Sequence, residues 1–217
     1  MRVMGRPSPQ ERGAAVVISQ RIGTWVRDYL LTVGRLVART GVTPNQLTLI
    51  GLGLNVIVAI VIATGEYRLG GVLLLVASAF DMLDGAVARA TDTISKVGGF
   101  LDSTLDRYSE IVVYVGVLVY LLDTGDARTA SILALIASAG ALMISYARAK
   151  AESIGYTASV GLAARPERIV LLALFLILGW TIWALWLLAA ITHITAITRI
   201  VHVWRMASRE APATRGG

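Results

Sequence analysis

Cysteine is absent from the chain, histidine occurs only twice, and charged residues are scarce for a protein of 217 residues. Without cysteine no disulfide can form, so helix packing must stabilise the fold. His193 and His202 are nine residues apart, a spacing that does not make a metal-binding pair on one helix. Charged residues are 16% of the sequence, hydrophobic residues are 56%, and the mean hydropathy is +0.70. This balance predicts an integral membrane protein whose 21 glycines let helices approach closely.

The two ends of the sequence differ from the apolar middle. We expect residues 1–14 and 208–217 to be disordered, with the membrane domain over residues 15–207. The basic start is not followed by a short apolar core and a cleavage site, so no signal peptide is expected. Residues 16–37 have helical period but too many charges to span a membrane. They are expected to form an amphipathic helix, lying in the membrane interface or packed on the protein's own cytoplasmic face.

The apolar runs predict an all-α membrane protein with six transmembrane helices after this amphipathic helix. A spanning helix needs about 20 apolar residues, and the last apolar run, 169–197, is longer than one untilted span. We therefore place a break near Gly179, with one long helix as the alternative. The predicted spans are 45–64, 69–90, 98–122, 128–151, 165–180 and 182–205.

Positive charges support this topology. With six spans, nearly all arginines and lysines fall on one side, and the loops on the other side carry only Arg68 and Arg128. Because cytoplasmic loops are enriched in such residues, we expect a multi-pass protein of the cell membrane with both termini in the cytoplasm.

Four aspartates interrupt the apolar pattern on this same side. Asp81 and Asp84 are three residues apart, and Asp102 and Asp106 are four apart, so each pair lies on one helix face. Two antiparallel helices joined by the polar segment 91–98 would bring the four carboxylates together. Their mutual repulsion would be removed by a divalent cation. Mg²⁺ is usually held by a few carboxylates together with water and substrate phosphates, and two such ions can act on both sides of a phosphoryl transfer.

The residues around these aspartates resemble a known family. Residues 81–106 match the pattern D-x2-D-G-x2-A-R-x8-G-x3-D-x3-D at all eight fixed positions. This pattern resembles that of the CDP-alcohol phosphatidyltransferases. The resemblance implies transfer of a phosphatidyl group from a CDP-linked lipid to a hydroxyl, with release of CMP. It also implies two Mg²⁺ ions, with Mn²⁺ as an alternative, held by Asp81, Asp84, Asp102 and Asp106, and it makes Asp106 the catalytic base.

The same resemblance assigns the residues that bind the CDP-lipid. The sequence T-P-N-x-x-T at the start of the first span is similar to the family's lipid-nucleotide pocket, and the small residues after Asp84 resemble its cytidine seat. Taken by themselves, these features are also typical of an ordinary helix start and of close helix packing. The residues assigned by the resemblance are Asn45, Gln46, Leu47, Thr48, Gly85, Ala88, Arg89 and Ser95.

A second set of cations is expected to bind the acceptor's phosphate. The phrases S-Y-x-x-A-x-A-E and R-P-E-R resemble the phosphatidylinositol phosphate synthase branch of the family. That branch implies CDP-diacylglycerol as donor and 1D-myo-inositol 3-phosphate as acceptor, in phospholipid biosynthesis. Any one of these cations is also explained by topology alone. The residues are Arg148, Lys150, Arg165, Arg168 and Arg199.

Three other functions remain open at this point. A phosphatidylglycerophosphate synthase would use the same basic pocket for glycerol 3-phosphate. A divalent-cation transporter would explain intramembrane carboxylates, although acids clustered at one end of the spans do not mark a path across the membrane. An inactive scaffold would tolerate the loss of an aspartate, yet all four are present. The resemblance further implies a homodimer, and nothing in the sequence indicates a nucleic-acid partner.

Overall fold

The computed structural model describes residues 32–125 and 127–210, which form helices joined by turns and by one longer loop at 154–164, with no strand among them. A short helical segment, 32–38, precedes six longer helices. The six are α1 (Pro44–Ala63), α2 (Tyr67–Ala90), α3 (Lys96–Leu122), α4 (Ala127–Ser153), α5 (Arg165–Leu178) and α6 (Thr181–Glu210). The all-α fold class is therefore confirmed for this part of the chain.

Local sequence explains where several of these helices begin and end. Thr43 and Gln46 form a reciprocal capping box at the start of α1, with a proline in the first turn. Ser95 caps α3 by accepting a hydrogen bond from the Gly98 amide at 3.0 Å. Gly179 ends α5 in the left-handed conformation, with φ of +79°, which glycine adopts without a steric cost. The predicted break at Gly179 is confirmed, and the alternative of one long helix is wrong.

By length and composition alone, four of the helices are able to cross a membrane: α1, α2, α4 and α6. Helix α3 is not among them because it carries acidic and basic residues in its first half. Helix α5 is not among them because it has only 14 residues. Helix α6 continues beyond its predicted end to Glu210, so its last turn overlaps the C-terminal tail that was expected from residue 208. The expected disordered N-terminus at 1–14, residues 211–217 of the C-terminal tail expected at 208–217, and most of the amphipathic helix at 16–37 lie outside the described residues.

The helices pack through small residues. Helix α1 lies against α2 and α3, α5 contacts α2 and α6, and α4 contacts α3 and α6. Gly116 of α3 meets the backbone of Ala59 in α1, and Gly140 of α4 meets the side chain of Thr192 in α6. Such contacts bring backbones close together where lipid supplies no hydrophobic driving force between helices.

One end of the bundle, called here the site end, collects the polar residues. The starts of α1, α3 and α5 lie there together with the ends of α2 and α4, as contacts between these segments show. The four aspartates of the sequence pattern belong to α2 and α3 and lie at this end.

Candidate active site

The four aspartates face one another across the last turns of α2 and the first turns of α3. Asp102 interacts electrostatically with Asp106, Asp84 and Asp81. None of the four is fully exposed, since all are in the intermediate range of accessibility. Asp84 and Asp102 also line one cleft, so the two carboxylate pairs lie near each other at the site end.

Arg165, from the first turn of α5, lies between two of these carboxylates. Its Nη2 is 2.8 Å from Asp81 Oδ2, and its Nη1 is 2.9 Å from Asp106 Oδ1. Within residues 32–125 and 127–210, no group of three or more acidic or histidine side chains is arranged closely enough to hold a metal ion as the side chains stand. The chemistry of the donor set nevertheless fits a divalent cation, because four carboxylates from two helices converge where the nearby guanidinium groups offset only part of their charge.

Helix α1 positions the first aspartate pair through residues that lie outside the sequence pattern. The Thr48 hydroxyl donates a hydrogen bond of 2.8 Å to Asp84 Oδ2. Gly51 leaves room for the other aspartate, because a Cβ at Gly51 would lie only 2.5 Å from Asp81 Oδ1. The role of Gly51 was missed by sequence reasoning, since a glycine in an apolar helix is typical of general helix packing.

A cleft of about 430 Å³ opens beside Asp84 and Asp102. The N-termini of both α1 and α3 line it, and helix N-termini favour bound anions such as phosphate. Six of the eight residues predicted to bind the CDP-lipid line this cleft. These are Asn45, Thr48, Gly85, Ala88, Arg89 and Ser95, and Thr43, Pro44, Thr93, Ile94, Gly98 and Gly99 complete the lining.

Two predicted cleft residues lie elsewhere. The Gln46 side chain accepts a hydrogen bond of 2.9 Å from the Thr43 amide, so it serves the helix cap. Leu47 is buried in the protein interior. Neither residue lines the cleft, and the T-x-x-Q capping pattern is the sequence feature that identifies the capping role of Gln46.

A second, larger groove of about 1120 Å³ lies on the other side of Arg165, between α3, α4 and the start of α5. Four of the five predicted acceptor-binding cations line it: Arg148, Arg165, Arg168 and Arg199. Lys150 is exposed and does not line it, because two residues along a helix from Arg148 the side chain points to another face. Arg107, which follows Asp106 directly, also lines the groove.

The cations in this groove differ in their availability. Arg199 donates to the carbonyls of Val160 at 3.0 Å and Ile144 at 2.8 Å, so part of its capacity holds the loop before α5 against α4. Arg148 is exposed and forms an ion pair of 2.8 Å with Glu152 at the groove edge. Arg148 is therefore better placed than Arg199 to meet an anion.

Arg168 is committed to a buried ion pair. Its Nε and Nη2 donate to the two carboxylate oxygens of Glu110 at 2.7 and 2.6 Å, and Nη1 donates to the Ala163 carbonyl at 2.7 Å. Only 1% of the Arg168 side chain and 7% of the Glu110 side chain are accessible. The structure does not support the predicted contact of Arg168 with the acceptor phosphate, because Glu110 already neutralises its charge. Glu110 continues the four-residue spacing of Asp102 and Asp106 along α3, and in this pair it has a structural role.

Comparison with known proteins shows which family this chain belongs to. The sequence profile described as CDP-alcohol phosphatidyltransferase matches residues 41–207. The chain belongs to this family. It is 40% identical over 148 residues to the archaetidylinositol phosphate synthase of Pyrococcus horikoshii, a match covering 68% of the chain and 76% of that protein. It is 39% identical over 140 residues to the phosphatidylinositol phosphate synthase of Corynebacterium glutamicum, covering 64% of each protein.

Solved structures agree with this membership. The fold matches the Mycobacterium tuberculosis phosphatidylinositol phosphate synthase with CDP-DAG bound, at a TM-score of 0.76 and 28% identity over 87% of this chain and 97% of that one. The same mycobacterial enzyme has also been solved in complex with manganese and citrate. This CDP-alcohol phosphatidyltransferase is thus a membrane-embedded enzyme of a family with a divalent metal centre. Membership argues against the transporter alternative.

The buried pair of Arg168 and Glu110 gives this phosphatidyltransferase a testable stability determinant. Glu110→Ala would leave the Arg168 charge buried and unpaired, which typically costs about 3–5 kcal/mol. We expect a clear fall in the melting temperature of the detergent-solubilised protein. Glu152→Ala is the matched control, because it breaks the exposed Arg148 pair, typically worth about 0.3–0.5 kcal/mol. Equal melting temperatures for the two variants would contradict a stabilising role for the buried pair.

Proposed function

We propose that the enzyme transfers the phosphatidyl group of CDP-diacylglycerol to a hydroxyl of 1D-myo-inositol 3-phosphate and releases CMP. The observation that carries this proposal is the pair of adjoining pockets. A cleft at two helix N-termini suits a nucleotide diphosphate, and a groove lined by arginines suits a second anionic substrate. The aspartates and Arg165 lie between the two. The names of the Pyrococcus, Corynebacterium and Mycobacterium relatives support inositol phosphate as that second substrate.

In the cleft, each residue type has a role that its chemistry supports. Gly85 has no side chain and Ala88 has only a methyl group, so together they leave room for the flat cytosine ring. Arg89 lies beside Gly85, from where its guanidinium donates to phosphate oxygens through two nitrogens. The hydroxyls of Thr48 and Ser95 and the amide of Asn45 add neutral contacts. Together these groups hold the diphosphate next to Asp84 and Asp102.

Asp81, Asp84, Asp102 and Asp106 would hold two Mg²⁺ ions, with Mn²⁺ as an alternative. When bound, these ions offset the charge that develops on the diphosphate as CMP departs. Asp106 accepts the proton of the acceptor hydroxyl as that oxygen bonds to the lipid phosphorus and the phosphorus–oxygen bond to CMP breaks. A carboxylate is a weak base, so its effect depends on a hydroxyl held directly against it. The arginine-lined groove would hold the acceptor so that its hydroxyl lies against Asp106.

The membrane arrangement is part of the same proposal. We place α3 and α5 across the bilayer with the four apolar helices, so that their charged residues face the protein interior at the site end. The excess of arginines and lysines at this end supports a cytoplasmic active site with both termini in the cytoplasm. The exposed apolar side chains on the outer faces of the bundle are consistent with a homodimer within the membrane.

One assay tests the proposed reaction. Purified protein with CDP-diacylglycerol and Mg²⁺ is offered inositol phosphate, free inositol or glycerol 3-phosphate, and CMP release is measured. We expect release with inositol phosphate and little with free inositol, which lacks the anion. A preference for glycerol 3-phosphate would replace this proposal by a phosphatidylglycerophosphate synthase. A parallel series with the CDP-activated archaetidyl lipid tests the donor that the name of the Pyrococcus relative implies.

The cationic groove yields a second prediction. Arg148→Gln should raise the KM for inositol phosphate by about 10-fold, the loss expected for one charge-assisted contact of about 1.5 kcal/mol, and should leave the KM for the CDP-lipid unchanged. Lys150→Gln is the matched control, since it removes the same charge two residues further along α4 but outside the groove. Steady-state kinetics with each substrate varied in turn make the comparison. A larger effect at Lys150 would restore the assignment made from sequence.

A further inference from the structure

Arg165 contacts the aspartates and also lines the arginine-rich groove beside α4. Its two terminal nitrogens contact Asp81 and Asp106 at 2.8 and 2.9 Å, and its side chain also lines the cationic groove. Only 14% of that side chain is accessible. One guanidinium thus touches two of the four carboxylates and faces the pocket for the second anion.

The contacts of Arg165 with the aspartates compete with metal binding. An ion pair and a metal bond use the same carboxylate oxygens, and two positive charges at these oxygens repel each other. The Nε atom of Arg165 is buried and has no hydrogen-bond partner within the described residues. The guanidinium therefore keeps donor capacity beyond its two ion pairs.

We propose that Arg165 couples the binding of the divalent cation to the binding of the anionic acceptor. When a cation takes the oxygens of Asp81 and Asp106, the charge of Arg165 is no longer neutralised there and attracts an anion in the groove. An anion held by Arg165 in turn weakens its hold on the aspartates and favours the cation. By thermodynamic reciprocity, each ligand tightens the other by the same factor. This inference rests on the metal site of the proposed function and adds its dependence on the acceptor.

Binding measurements without CDP-lipid test the coupling, because no turnover occurs under those conditions. Mg²⁺ is titrated calorimetrically into the purified full-length protein in detergent, with and without saturating inositol phosphate. For the native protein we expect inositol phosphate to tighten Mg²⁺ binding by about 5-fold or more, the usual lower bound of allosteric coupling. In Arg165→Gln, Mg²⁺ alone should bind more tightly than to the native protein, and inositol phosphate should no longer change its affinity.

Two further variants make the result specific. Arg148→Gln removes a groove cation that does not contact the aspartates, so it should weaken inositol phosphate binding but keep the coupling once that ligand is saturating. Arg165→Lys keeps the charge but loses the planar fork, so its coupling should be intermediate. It also provides the test if Arg165→Gln does not fold, as judged by thermal unfolding.

The outcomes separate this inference from the function it rests on. Mg²⁺ affinity that does not depend on inositol phosphate in the native protein, or coupling that persists in Arg165→Gln, would overturn the role of Arg165. CMP release from the native enzyme would still support the proposed reaction in that case. A native protein that binds no Mg²⁺ and releases no CMP would overturn both.

Discussion

Replacing Asp106 with asparagine is expected to abolish phosphatidyl transfer while CDP-lipid binding stays measurable. Asparagine keeps the size of the side chain but cannot accept the proton of the acceptor hydroxyl, and general base catalysis alone contributes about 10²–10⁴-fold. The substitution also removes a candidate metal ligand, so we expect activity below the detection limit of a CMP-release assay. Binding of the CDP-lipid should persist, because the cleft residues Asn45, Arg89 and Ser95 remain unchanged. It is measured separately from turnover.

Asp92→Asn provides the control for this substitution. Asp92 is exposed, lies in the turn between α2 and α3, and has a positive φ of 54°. Asparagine tolerates this left-handed conformation well, so folding and activity should remain close to those of the native enzyme. Normal turnover in Asp106→Asn would remove Asp106 from the chemistry.

Gly51→Ala is expected to cause the second large loss, about 100-fold in kcat, although the side chain gained is a single methyl group. A Cβ at Gly51 would lie 2.5 Å from Asp81 Oδ1, so the carboxylate must move away from its present position. A displacement of about 1 Å in a reacting group can cost 10²-fold. Steady-state kinetics at saturating Mg²⁺ measure the effect, and Mg²⁺ titration should show weaker binding.

The same helix contains the matched control. Gly53 lies two residues further along α1, and a Cβ there meets nothing within 4 Å. Gly53→Ala carries the same change in helix propensity, which favours alanine by about 1 kcal/mol, without touching Asp81. It should keep native kcat. Similar activities for the two variants would show that Asp81 tolerates the displacement and that Gly51 has only a packing role.

The main features of the site are readable from the sequence because they depend on local spacing. Residues three and four apart share a helix face, so the pattern from Asp81 to Asp106 by itself implies two carboxylate pairs. The helix break at Gly179 is likewise local, since glycine supplies the left-handed residue that ends α5. Capping by Gln46 is also local, since it depends only on Thr43 and Gln46 being three residues apart at a helix start.

The remaining features depend on how the helices are rotated and packed against one another. Arg148 and Lys150 are equivalent cations in the sequence, and only the rotation of α4 against α3 and α6 places the first in the groove and the second outside it. Arg165 and Arg168 are three residues apart on α5. Which of them meets an aspartate and which meets Glu110 is decided by the register between α5 and α3, for which a single sequence gives no information.

The short fifth helix has a consequence for the surrounding lipid. With 14 residues, α5 is about 21 Å long at 1.5 Å per residue, whereas the hydrocarbon core of a typical bilayer is about 30 Å thick. If α5 crosses the bilayer as we propose, it is shorter than the hydrocarbon core, and the bilayer must become thinner beside it. The exposed indole rings of Trp180 and Trp183 follow the end of α5 that lies away from the site end. Because such rings favour the membrane interface, we expect the leaflet at that end to be the one that thins. The enzyme would then be under least strain in membranes with short acyl chains.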